Sequence, residues 1–323
     1  MILVEVSKNM NDSEQNFTRE MFQKIDRTQM NAERISRPTI KYWADVFRRL
    51  RMNKLAMFGL FMIIVLAIMA IVGRYISGYT YFDQDYANMN IKPNSSFWFG
   101  TDSLGRDIFT RIWYGTGYSL LIGAMTAFIS FTIGILYGGF AGITGGKADM
   151  LMMRIAEIIY SIPYLLIVIL LSVVFSSSGG SSFFVIIFAL SFTSWTPLAI
   201  LVRGQVLQLK QSEYALASTS IGASKWYILR KHIIPNSMGP ILVDVTLTVP
   251  RAIFSEATLG FLGLGLQAPK ASLGTLVNDG LTGMAVGNYY QIIIPAIFIS
   301  LIMFSFNVLG DGLRDSLDPR LRK

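Results

Sequence analysis

Six apolar stretches, near residues 55 to 73, 118 to 142, 158 to 175, 183 to 202, 238 to 262 and 289 to 309, are each long enough to cross a bilayer as a helix. That pattern predicts an all-α membrane protein with six transmembrane helices. Charge content agrees, since only 15% of residues are Asp, Glu, Lys or Arg, against the quarter usual in soluble domains. Spans three and four are separated only by the polar run from Ser176 to Ser182, which predicts a tight turn and an antiparallel helix pair. The first apolar run begins at Leu55, behind a long charged leader, so it is expected to stay as a membrane helix and not to be cleaved as a signal.

Orientation follows from the cationic residues, which favour cytoplasmic loops. With the N-terminus inside, segments 1 to 54, 143 to 157, 203 to 237 and 310 to 323 are cytoplasmic and hold twenty-two of the 28 Lys and Arg; the outer segments hold five. Both termini are therefore expected in the cytoplasm. The formal net charge of +8 is spread along these margins, which suits anionic lipid headgroups and not nucleic acid. The chain has no Cys and one His, so neither a disulfide framework nor a His or Cys metal site is expected.

Residues 1 to 37 are polar without an apolar stripe and are expected to form a mobile cytoplasmic tail. Residues 38 to 54 place Ile40, Trp43, Val46, Phe47 and Leu50 on one helical face and arginines on the other, as in a helix lying on the membrane surface. The transmembrane domain is set at 55 to 309, with a cytoplasmic C-terminal tail from 310 to 323. In the first outer segment, Ile108, Phe109, Ile112 and Trp113 share one side of a short interfacial helix. Gly134, Gly138 and Gly142 in span two make a bare stripe suited to close packing, within this subunit or against another. Pro163, Pro197, Pro250 and Pro295 each mark an expected kink.

Between spans four and five lies a polar insert, residues 212 to 236, that reads as a hairpin of two short helices. Ser212 caps the first, Glu213 occupies its positive end and Gly222 closes it; Ser224 starts the second, and Pro235 with Asn236 stops it. Small residues Ala215, Ala217, Ser218, Ser220 and Ala223 would let the backbone approach a partner closely. Glu213, Lys225, Arg230 and Lys231 would orient that contact.

Span five holds Asp244, Arg251 and Glu256, and charge at that depth needs protein, water or a partner. A structural network and a contact with a translocating substrate both remain open for the three, as does an ion relay in a stand-alone secondary transporter. Asp244 and Arg251 share a face but are separated by about 10 Å along the axis, so pairing needs a long side-chain reach. Gly145-Gly146-Lys147-Ala148 lacks the leading Gly and the Ser or Thr of a phosphate loop, so the chain is not expected to bind ATP. Catalytic residues, cofactors and metals are not expected.

Four motifs carry a family resemblance. The first is Gly100-Thr101-Asp102-Ser-Leu-Gly105-Arg106-Asp107; the second is the insert, with Glu213-Tyr-Ala215-Leu-Ala217 and the following Gly222; the third is Glu256 to Gly265; the fourth is Asp311 to Arg320. Together they resemble the C-type permease subunit of oligopeptide and dipeptide ATP-binding-cassette (ABC) importers. The resemblance implies a type I importer permease fold in the bacterial inner membrane. It further implies that Glu213, Ala215, Ala217, Ser218, Gly222, Ala223, Lys225, Arg230 and Pro235 couple the chain to ATPase subunits. The implied partners are a homologous permease in a heterodimer, two ATP-binding subunits carrying ATP and magnesium, and an extracytoplasmic peptide-binding protein. Relatives of this kind also handle non-peptide cargo such as metal chelates. A membrane scaffold without a transport path is a further alternative.

Overall fold

Lipid offers the backbone no hydrogen-bond partner, so a chain this apolar must satisfy its peptide groups within helices. The computed structural model describes residues 42–176 and 182–317, and among these the only strand-like pairing is an isolated bridge between Thr101 and Asp107. Two units are distinguished, residues 1–44 and 45–323, and the membrane bundle belongs to the second. The expected mobile tail, the turn between spans three and four at 177–181, and the Asp318 to Arg320 end of the fourth motif lie outside the described residues.

Helix α1 (Tyr42–Met52) buries Val46 and Leu50, while Phe47 is exposed, so the apolar face splits between protein and surroundings. Asp45 is hydrogen bonded by Arg48 at 2.7 Å and Arg49 at 3.0 Å. Desolvation acts to raise its pKa, but the Arg48 hydrogen bond and the Arg49 charge prevail and hold the carboxyl below the ordinary value. Span one is α2 (Lys54–Val72), whose first turn is capped by the Asn53 side chain accepting from the Ala56 N–H.

Span two, α3 (Ile108–Thr144), is a single helix of 37 residues. The expected separate interfacial helix is its first turns. Asp107 caps it by accepting from the Thr110 N–H at 2.9 Å, and Ile108, Phe109, Ile112 and Trp113 enter a core with Leu66, Ile253, Leu273 and Ile302. These side chains face neighbouring helices, not headgroups. The glycine stripe also resolves within the subunit: Gly134, Gly138 and Gly142 meet Leu198, Ala199 and Val206 of span four. A Cβ at Gly138 would overlap the Ala199 carbonyl.

Span three is broken. Helices α4 (Gly146–Ser161) and α5 (Tyr164–Ser176) meet at a 75° bend around Ile162 and Pro163. Proline has no N–H and pushes its predecessor out of the helical region, and Ile162 is extended at φ −77°, ψ 122°. The expected loop at 143 to 157 is thus mostly helix. Span four is α6 (Ser182–Leu209), with Pro197 inside it.

The insert begins with α7 (Glu213–Ser220) and α8 (Lys225–Ile228). Pro235 does not stop the second helix. After α8 the ladder widens into a π-turn at Leu229–Ile233, where the Ile234 N–H donates to the Leu229 carbonyl, and the chain continues as span five, α9 (Ile234–Phe261). Proline is tolerated near a helix start because the first N–H groups lack helical partners anyway. An unexpected helix, α10 (Leu273–Met284), follows span five, capped by a reciprocal pair between Ser272 and Thr275. Span six, α11 (Tyr290–Leu317), continues through Asp311 to Leu317, so the boundary expected at 310 falls within helix. Gly312 abuts Ala56, which brings the start of span one and the end of span six together. Among the described residues, five helices are long and apolar enough to cross a membrane, and the bent pair makes a sixth crossing if it counts as one span.

Candidate functional site

Three places collect the residues singled out by sequence. The hairpin is one. Gly222 has φ +86°, the left-handed conformation glycine adopts freely, and a Cβ there would meet no atom within 4 Å. Ser224 caps α8 by accepting from the Tyr227 N–H at 3.2 Å. Ser212 does not cap α7 through its side chain: its hydroxyl donates instead to the Leu209 carbonyl at 2.6 Å.

Within the hairpin the small residues divide. Ala215 is buried with Leu198, Val202, Leu229 and Ile233, and Ala223 is half-buried on the same cluster. Glu213, Ala217, Gly222, Lys225, Arg230 and Pro235 are exposed, and Ser218 is intermediate, its hydroxyl donating to the Tyr214 carbonyl. The buried Ala215 lets α7 pack against α8 and the π-turn that follows it. Outward, the tip presents Ile221 at 87% exposure, with Leu216, Trp226 and Tyr227 also exposed. Sequence reasoning on small residues and charges missed this apolar tip, although its residues were legible.

The second place is a cavity of about 470 Å³ between spans two to five. Its wall includes Thr126, Tyr160, Tyr164, Ser194, Asp244 and Arg251. Three of the expected kinks converge on it: Pro163 lies between the two lining tyrosines, Pro197 borders it directly, and Pro250 precedes Arg251. Arg251 does reach Asp244, at 3.8 Å, a loose ion pair beyond hydrogen-bond distance.

Glu256 is elsewhere. It is fully buried, one carboxylate oxygen accepts from the Ser119 hydroxyl at 2.9 Å, and the Ser119 oxygen accepts from the Leu273 N–H at 3.3 Å. It joins spans two and five to α10 and does not line the cavity.

The third place is the Gly100 to Asp107 motif, which builds a turn. Gly100 and Gly105 take φ of +78° and +73°. The Thr101 hydroxyl donates to the Asn88 carbonyl at 2.6 Å and accepts from the Ile91 N–H at 2.8 Å. Asp102 accepts from the Leu104 and Arg106 N–H groups, from Arg106 Nε at 2.7 Å and from Arg111 Nη1 at 2.5 Å. Both arginines also bond Asp279 of α10, at 3.0 and 2.9 Å. Tyr290 and Gln291, at the start of span six, donate to the Thr101 carbonyl. The motif therefore fastens spans two and six and α10 at one end of the bundle. Sequence reasoning did not find Arg111 or Asp279.

Among the described residues, no group of three or more His, Cys, Asp or Glu side chains is placed to hold a metal ion. A helical bundle of five to six candidate crossings bordering a cavity with charged and hydroxyl groups, with an exposed hairpin between two spans, has the architecture of a membrane permease. Residues 134–323 match the family described as binding-protein-dependent transport system inner membrane component, and residues 41–93 match the N-terminal transmembrane domain of oligopeptide transport permease C; the chain belongs to this transport-permease family. It is 49% identical over 292 residues, 90% of each chain, to the dipeptide transport system permease protein DppC of Bacillus subtilis. It is 48% identical to the oligopeptide transport system permease protein OppC of the same organism, over 96% of this chain and all of that one. A glutathione transport system permease protein, GsiD of Escherichia coli, is 39% identical over 87% of this chain and 91% of its own.

In fold the chain is similar to the MetNI methionine ABC transporter solved in inward-facing conformations, with a TM-score of 0.52 at 19% identity, covering 63% of this chain and 94% of that one. The fold is that of a type I ABC importer permease, and the chain is a multi-pass protein of the bacterial inner membrane.

Proposed function

We propose that the chain forms half of the translocation path of an ATP-driven peptide importer. It pairs with a homologous permease, receives peptide from an extracytoplasmic binding protein, and is driven by two ATP-binding subunits that carry ATP and magnesium. The names of the dipeptide, oligopeptide and glutathione relatives support a peptide cargo. The hairpin and both termini are cytoplasmic, in keeping with the Lys and Arg distribution.

The observation that carries the coupling role is the hairpin tip. Ile221, Leu216, Trp226 and Tyr227 are exposed apolar residues of the hairpin, interspersed along the chain with the exposed charges Glu213, Lys225 and Arg230. Exposed large apolar and aromatic side chains among charges suit a protein interface, and here its occupant is an ATPase subunit. The π-turn joins α8 to span five without an intervening loop, so a push on the tip passes directly into α9 and its cavity wall.

Replacing Gly222 with Trp tests this. A Cβ there meets no atom of this chain within 4 Å, and Gly222→Ala, which carries the same left-handed backbone cost without the bulk, is the control that isolates a clash with the partner. Uptake by the importer assembled with the Trp variant is expected to be abolished, with the chain still inserted in the membrane at the wild-type level. Unaltered uptake would overturn the coupling role.

A further inference from the structure

Three arginines packed within the bundle bond carboxylates at hydrogen-bond distance. Arg106 and Arg111 bond Asp102 and Asp279, and Arg203 grips Asp149 through two nitrogens. Arg251 differs. Its side chain is 63% exposed, its nearest carboxylate oxygen is 3.8 Å away, and its guanidinium makes no hydrogen bond to any described residue. A guanidinium offers five donors in a planar fork suited to a carboxylate, so this one keeps its donors available in a membrane span where unfilled hydrogen-bonding capacity is costly.

A second observation concerns the same cavity. The hydroxyl-bearing residues Thr193, Ser194 and Ser255 stand on its wall beside Arg251. Tyr160 and Tyr164 add two phenols across the break in span three. A cavity of about 470 Å³ lies in the range of small-ligand sites. Cation, hydroxyls and aromatic faces therefore border one space.

We infer that this cavity is a transit site for the peptide's C-terminal carboxylate, with Arg251 as its receptor and Asp244 as the counter-ion that the carboxylate displaces. The assignment rests on the peptide-import function proposed above. The loose 3.8 Å pair suits a transient site: Asp244 tempers the charge between cargoes yet forms no hydrogen bond that the arriving carboxylate must break. Arg251 lies next to Pro250, and the cavity also touches Pro197 and the Pro163 break, so helix bending during transport would change its spacing from Tyr160 and Tyr164.

The test uses the complete importer in proteoliposomes with ATP and magnesium inside and the binding protein with trialanine or trialanine amide outside. Wild type, Arg251→Gln and Arg251→Lys are compared, each normalised to assembled complex. Because the same binding protein serves every arm, its own preference cancels in the ratio of variant to wild type. Arg251→Gln is expected to lower uptake of the free acid about tenfold or more relative to the amide, the size of one lost charge-assisted hydrogen bond. Arg251→Lys should recover most of it. Equal losses for both peptides would assign Arg251 a structural role and overturn the inference alone, as would unchanged uptake of both. Failure of the wild-type complex to take up either peptide would strike the peptide-import function itself, and the inference with it.

Discussion

Two groupings of arginine and aspartate occupy this bundle, and they are built in opposite ways. At one end Asp102, Arg106, Arg111 and Asp279 sit within 2.5 to 3.0 Å of one another, three of the four with nearly buried side chains. In the cavity, Asp244 and Arg251 stand 3.8 Å apart, with the guanidinium largely exposed. A charge removed from water requires close partners, because desolvation is offset only by good geometry. The first grouping meets that requirement internally and so acts as a fastener. The second leaves it partly unmet, which suits a site whose partner comes and goes.

The sharpest way to break this comparison is to remove Arg111. It bonds Asp102 through one nitrogen and Asp279 through another, and it joins span two to α10. Arg111→Met leaves Asp102 buried with only Arg106 as cation, and breaking a buried pair from one side costs about 3–5 kcal/mol. Thermal unfolding of the purified importer in detergent should show a large drop in the midpoint, with little intact assembly recovered at growth temperature. A midpoint within a degree of wild type would show that the cluster is not a fastener.

Much of the architecture was readable because it is local. Apolar runs marked the candidate crossings, Gly222 announced its turn, and Ser224 neighbours the backbone group it caps. The fastener was only half readable. Asp102 and Arg106 are four residues apart in a motif, whereas the Arg111 to Asp279 contact spans 168 residues, and nothing near Asp279 marks it. The cavity was likewise hidden, since it needs span three to break and spans two, four and five to converge. Pro163 signalled a kink, but the segment 143 to 157 before it reads as a cytoplasmic connection, whereas most of it is helix that packs against spans two and four. Pro235 misled for the opposite reason: a proline rule written for helix interiors was applied at a helix start preceded by a π-turn.

An intermediate case sharpens the contrast. Arg203 of span four donates to both oxygens of Asp149 at 2.5 and 2.7 Å, but its side chain is 31% exposed, between the two extremes. Asp149→Asn keeps the shape, loses the charge, and should cost about 1–2 kcal/mol, reduced from the buried-pair value by solvent screening. Unfolding in detergent at low and high salt checks it: the difference between variant and wild type should shrink as salt rises. A loss as large as that of Arg111→Met would mean that exposure is not what grades these pairs.

The smallest stability effect is expected where the effect on transport is sharpest. Arg251 makes no hydrogen bond to a described residue, and its pair with Asp244 is long and open, so Arg251→Gln removes little that holds the fold together. Its stability should match wild type to within about 0.5 kcal/mol, the usual range for a substitution that breaks no packed contact. Relieving Asp244 of its neighbour works against this, since that carboxylate is only 18% exposed and loses its nearest cation. Arg251→Gln is therefore best measured beside Asp244→Asn/Arg251→Gln, in which neither charge remains. If the pair were structural, the single variant would be clearly less stable than wild type and the double variant would restore it. Near equality of all three, together with lost preference for the free-acid peptide, separates a ligand-facing arginine from one that binds the helices together.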